Sequence, residues 1–99
     1  MAYVYILLPE AENDYQDSIL WYLERSVSAA DNFINQIENT LDILSENPFL
    51  GKCTFRNIYE LKVKRFPFNV VYLIEEANNK IVIVSIFHDK RNPERKFDR

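Results

Sequence analysis

The chain has 99 residues, 47% hydrophobic and 27% charged, with a formal net charge of −3. That length holds one domain around one core. A single Gly, a single Cys and a single His exclude a Gly-rich phosphate loop, an internal disulfide and an all-Cys/His zinc site. No run is long and apolar enough for a transmembrane helix. Met1 to Leu8 is too short for a signal peptide and has no basic region before it. The expectation is a soluble cytoplasmic protein with no cofactor, no metal and no membrane partner.

Taken in chain order, Tyr3 to Leu8 (YVYILL) is short, β-branched and aromatic, and reads as a strand buried on both faces. Pro9 can open a helix, and Glu10, Glu12 and Asp14 suit its positive N-terminal end. Ala11, Tyr15, Ile19, Tyr22 and Leu23 share one face of that helix, which ends near Arg25. Ser28 and Asp31 form a candidate capping box for a second helix. Ala30, Phe33, Ile34, Ile37, Leu41 and Leu44 then keep helical spacing up to Asn47, where Pro48 stops the helix. The short gap between the helices predicts an antiparallel hairpin.

Residues 48–54 read as a loop. From there the period changes to two. Tyr59, Leu61 and Val63 alternate with Glu60, Lys62 and Lys64, the pattern of a half-buried strand. Residues 65–68 (RFPF) turn the chain into the apolar run Val70 to Ile74. Residues 77–80 (ANNK) make a tight hairpin into Ile81 to Phe87, which delivers His88 in alternation with Val82, Val84 and Ile86. The predicted class is α+β, in the order β-α-α-β-β-β. The helical hairpin packs on one face of a mainly antiparallel four-stranded sheet, and the other face, bearing Lys62 and Lys64, meets solvent or a partner.

Charge is segregated along the chain. Residues 1–50 hold one base against nine acids, and residues 51–99 hold eleven bases against six acids. A basic surface in the second half can meet nucleic acid or an acidic partner. The plainer reading is that charge follows helix and strand composition. Acid–base chemistry on a phosphodiester needs a group that titrates near neutrality and cations around the phosphate. His88 is the one candidate of the first kind. Lys62, Lys64, Arg65, Lys90 and Arg91 are candidates of the second, and Arg95 and Lys96 extend a basic tail. A lone His at a strand end is also a common packed residue, and strand lysines are often only solvated.

An ordered series of residues carries a resemblance. It comprises Trp21-Tyr22, Ala30 with Phe33, Asn47-Pro48 with Gly51, the run from Arg65 to Tyr72 (RFPFNVVY), and Ile86-Phe87-His88 with Arg91-Asn92-Pro93. Over about Tyr3 to Phe97 the chain resembles the RelE/ParE superfamily of bacterial type II toxins, in its plasmid stabilization branch. The resemblance implies a toxin that stops growth and is neutralised by a cognate antitoxin. ParE-like members poison DNA gyrase, and RelE-like members cut messenger RNA on the ribosome. A third reading keeps the fold as a non-toxic interaction module, and a homodimer is left open. With that acid–base chemistry, His88, Arg91 and Arg65 are the catalytic candidates, and Lys62, Lys64, Lys90, Arg95 and Lys96 are the candidates for binding nucleic acid or another target. Arg91 matches an arginine after the last strand. Asn69 stands where the RelE branch has an arginine, and Phe97 where several nucleases have an aromatic hydroxyl. These departures favour the gyrase reading slightly.

Overall fold

The structure is a computed structural model that describes residues 2–89. Its elements are β1 (Val4–Leu7), α1 (Pro9–Leu23), α2 (Val27–Glu46), β2 (Lys52–Phe55), β3 (Ile58–Lys62), β4 (Phe68–Glu75) and β5 (Lys80–His88). Short 3-10 turns lie at Pro48–Leu50 and Glu76–Asn78. The strands form one sheet in the order β1-β5-β4-β3-β2. β1 runs parallel to β5, and every other neighbouring pair is antiparallel. The class is α+β, with five strands in place of the expected four. The additional strand, β2, falls in the predicted loop. All four of its residues are exposed, and its four-residue alternation of Lys52 and Thr54 with Cys53 and Phe55 is too short to stand out as a strand. Pairing with β3 holds it in place, through a turn in which Arg56 takes a positive φ of 53°.

Pro9 occupies the first turn of α1, where its missing N–H is no loss and its φ is already helical. The residues α1 buries most deeply are small: Ala11, Asp14 and Ser18. Tyr15, Ile19 and Tyr22 pack against the core beside them, whereas Leu23 is exposed. The cap of α2 lies two residues before the expected box. Ser26 is extended, its hydroxyl accepts the Ala29 N–H at 3.2 Å, and its own N–H closes the reversal onto the Tyr22 carbonyl at 2.9 Å. From there α2 buries the predicted stripe Ala30, Phe33, Ile37, Leu41 and Leu44, with Ile34 half-buried. Phe33 is the centre of the packing. Its ring centroid lies 4.9 Å from that of Phe68, 5.0 Å from Tyr22 and 5.5 Å from Phe66. These contacts fasten the helical hairpin to the turn between β3 and β4.

β1 is an edge strand and is not buried on both faces. Tyr5 and Leu7 pack on the core, while Val4 is 66% and Ile6 42% exposed. The helices cover only one face of the sheet, so an edge strand buries only alternate residues.

Two tertiary ties hold the sheet in register with the rest of the chain. The Tyr72 hydroxyl donates to the Pro48 carbonyl at 2.8 Å and accepts the Gly51 N–H at 3.0 Å. The only glycine is required there, because a Cβ at Gly51 would lie 2.5 Å from the Tyr72 hydroxyl oxygen and 2.9 Å from the Glu60 carbonyl. The second tie is a bulge in β5. Val71 pairs with Ser85 and Tyr72 with Ile83, which leaves Val84 between them. Asp14 of α1 reaches this point. Its Oδ2 accepts the Ser85 hydroxyl and the Ile86 N–H, both at 3.2 Å.

Candidate functional site

One end of the sheet gathers four of the predicted residues. Lys62 ends β3. Val63 is buried, and its N–H bonds the Phe68 carbonyl at 2.9 Å, closing a turn that holds Lys64 and Arg65. A tight bond from the Phe68 N–H to the Phe66 carbonyl, 2.8 Å, bends the chain around Pro67. β5 ends alongside, with His88 opposite Phe68 and Phe87 opposite Asn69. Lys62 lies opposite Asn69 on the other side of β4. Lys64 and Arg65 are exposed, and Arg65 has a φ of 69°. Lys64 therefore belongs to the turn and not to the strand face expected from its alternation.

The pleat separates these residues. Leu61 and Phe68 contact the core beneath the helices, so their strand neighbours Lys62 and Asn69 lie on the opposite face. His88 pairs with Phe68 and sits on the helix side. Its ring meets the Phe68 ring edge-on at 5.1 Å, and the residue is half-buried. The predicted alternation of His88 with Val82 and Val84 does not hold across the bulge. Ile81 and Ile83 before it, and Ile86 after it, belong to the core.

On the face away from the helices, Asp89 joins the two polar strand residues. Its Oδ2 accepts the Lys62 ammonium at 2.6 Å, and its Oδ1 accepts the Asn69 side-chain amide. The hydrogen bond from Lys62 is the largest influence and holds the Asp89 carboxyl below its ordinary value. Partial burial opposes this, while the charge of Lys62, the amide of Asn69 and the nearby His88 reinforce it. Backbone geometry fixes the residue too, since the Asp89 N–H donates to the Pro67 carbonyl at 2.8 Å. Beside this cluster an open groove of about 670 Å³ runs between β2 and β4, lined by Leu50, Lys52, Thr54, Glu60, Lys62 and Asn69 among others.

The described cations of the second half do not form one continuous basic face. Arg56 and Lys80 lie at the far end of the sheet, where Ile58 meets Leu73 and Lys80 meets Glu75. Between the ends, the face opposite the helices carries Val71, Val82 and Glu60. Lys90, Arg91, Arg95, Lys96 and Phe97 lie outside the described residues. Among the described residues no helix is long and apolar enough to cross a membrane, and no group of three His, Cys, Asp or Glu stands close enough to hold a metal.

Two helices on a mixed sheet with β1 parallel to β5, and a polar cluster where β3, β4 and β5 end, can be set beside known proteins. The family model for the ParE toxin of the type II toxin-antitoxin system, parDE, matches residues 5–93. The chain belongs to the ParE toxin family. A search of curated protein sequences finds no significant match.

Solved structures of this superfamily share the fold. The chromosomal ParDE system from P. aeruginosa superposes with a TM-score of 0.69 at 16% identity, over 88% of this chain and 96% of the other. The RelBE2 toxin-antitoxin complex from Mycobacterium tuberculosis gives 0.63 at 17%, over 89% and 99%. A free E. coli RelE toxin carrying two arginine-to-alanine substitutions gives 0.70 at 13%, over 99% and 93%. At these identities the likeness establishes the fold, which ParE-like and RelE-like proteins have in common.

Within this ParE-family fold, the tertiary contacts of Asp89 and of buried Asp14 could not be read from the sequence. Asp89 follows His88 directly, and only the strand register reveals that it reaches two residues 27 and 20 positions earlier. Asp14 reads as an ordinary acid near a helix N-terminus.

Proposed function

We propose that this chain is the toxin of a bacterial two-component module, held inactive by a cognate antitoxin protein, and that its free form poisons DNA gyrase. The family supports the toxin assignment. The relatives solved as toxin-antitoxin complexes support the partner. The observation that carries the choice of target is the Asp89 carboxylate bound to Lys62 and Asn69. RNA cleavage needs positive charge around the phosphate, where the phosphorane develops. Here a carboxylate neutralises the one lysine on the strand. Asn69 supplies no charge where the RelE branch has an arginine. His88 lies on the other side of the sheet, against Phe68. A gyrase poison requires a binding surface and no such constellation.

The test is induced expression in a bacterial host with and without the neighbouring antitoxin gene. Growth should stop only without the antitoxin, with gyrase-linked DNA breaks and intact transcripts. The second reading, a ribosome-dependent endoribonuclease, draws on the convergence of Lys64, Arg65 and His88 at one end of the sheet. Transcript cleavage that disappears in His88→Ala or Arg91→Ala would put it in place of the first. Unimpeded growth in several hosts would leave a non-toxic interaction module. The same cells, fractionated, give the compartment.

A further inference from the structure

We propose that Lys62 and Asn69 form a carboxylate-binding subsite that the chain fills with its own Asp89, and that a carboxylate side chain of a polypeptide partner takes the place of Asp89 when the partner lies in the groove beside β2. The two donors stand on neighbouring strands in register, and each takes a different oxygen of one carboxylate. Their positions are set by the sheet, so the pair is preorganised for a planar two-oxygen acceptor. Asp89 is the first residue beyond β5, and its backbone is held separately by the Pro67 carbonyl. Its side chain can therefore rotate away with no strand pairing broken. The carboxylate is already 31% exposed, so it passes easily into water. Exchanging one carboxylate for another leaves Lys62 paired throughout.

The groove selects among anionic partners. Lys52 and Lys62 are balanced by Glu60 and Asp89, and Lys52 lies directly opposite Glu60. A polynucleotide brings one charge per phosphate and gains affinity only where cations outnumber acids. An extended polypeptide with a single acid fits better, because exposed Leu50 lines the same groove and can receive an apolar neighbour of that acid. β2 is the last strand of the sheet on that side, and its outer edge offers backbone groups along which an extended segment can lie. The subsite rests on this geometry alone; only the identification of the partner with the antitoxin rests on the proposed function.

The experiment follows the Asn69 side-chain amide signals by nitrogen–proton NMR of the full chain. Three probes are titrated: a capped tripeptide with a central glutamate, the same tripeptide with glutamine, and dimethyl phosphate. The glutamate peptide should bind Asp89→Ala at least tenfold more tightly than the unmodified chain. It should lose that binding when Lys62→Met is added, and the glutamine peptide should not bind. Asp89→Ser, which keeps a small polar side chain, should respond as Asp89→Ala does and guards against a folding defect in the alanine variant. An equal response with and without Asp89, or no saturable response at all, would overturn the subsite. Tighter binding of dimethyl phosphate than of the glutamate peptide would overturn its carboxylate selectivity. Growth inhibition is not read, so a chain without toxicity would leave this result intact.

Discussion

Replacing Tyr72 with Phe tests how the connection between α2 and β2 is held. Tyr72 has no exposed surface, and its hydroxyl stands between the Pro48 carbonyl and the Gly51 N–H. Tyr72→Phe keeps the ring and leaves both groups without a partner. Pro48 is buried, so its carbonyl bears the full desolvation cost, whereas Gly51 is half-buried and its N–H regains some water. An unsatisfied buried group costs about 1–3 kcal/mol, which places the loss near 2 kcal/mol. For a domain of this size each kcal/mol lowers the melting temperature by about 4–8 °C, so the expected drop is about 8–16 °C. Urea unfolding followed by Trp21 fluorescence should show the midpoint falling at constant slope. Tyr59→Phe is the control: its ring stacks on Tyr72 at 5.7 Å, and it should lose less than about 0.5 kcal/mol. Gly51→Ala adds a second arm. Its Cβ would collide with the Tyr72 hydroxyl oxygen at 2.5 Å, so it should cost less in the Tyr72→Phe background than alone. If Tyr72→Phe is no worse than the control, or the two changes simply add, the reasoning about this tie is wrong.

Asp14→Ala removes the acceptor for the Ser85 hydroxyl and the Ile86 N–H, and should cost about 2 kcal/mol, with faster hydrogen exchange at the Ile86 amide. Asp14→Asn, which keeps one acceptor oxygen, should cost less; equal losses would show that acceptor geometry is not what the site needs. The Asp89 carboxyl is held below the ordinary carboxylate value, so its pair with Lys62 stabilises the fold above that ordinary value and is lost as pH falls through the lower folded value. Melting curves from pH 7 down to pH 2 should therefore show Lys62→Met less stable by roughly 0.5–1 kcal/mol near neutrality, with the gap closing in acid. A gap that is constant with pH would assign the effect to the lysine stem alone.

The helical hairpin and the inner strands were legible because their information is local. The stripe from Ala30 to Leu44 repeats every three or four residues, and the runs Val70 to Ile74 and Ile81 to Phe87 are apolar over several consecutive positions. The ordered residues from Trp21 to Pro93 were enough to suggest the superfamily to which the matched family belongs. The sequence also showed that all the candidate cations lie in the second half of the chain. Tertiary structure decided the rest. β2 buries none of its residues, and pairing with β3 is what makes it a strand. One residue of bulge at Val84 changes which side chains of β5 face the helices, so His88 and the Lys62–Asn69 pair fall on opposite sides. Asp14 and Asp89 look like surface acids until contacts across 72 and 27 positions are formed. Periodicity within a segment reports which faces must be buried. Pairing between distant segments sets register, and register decides which polar groups meet at the end of the sheet.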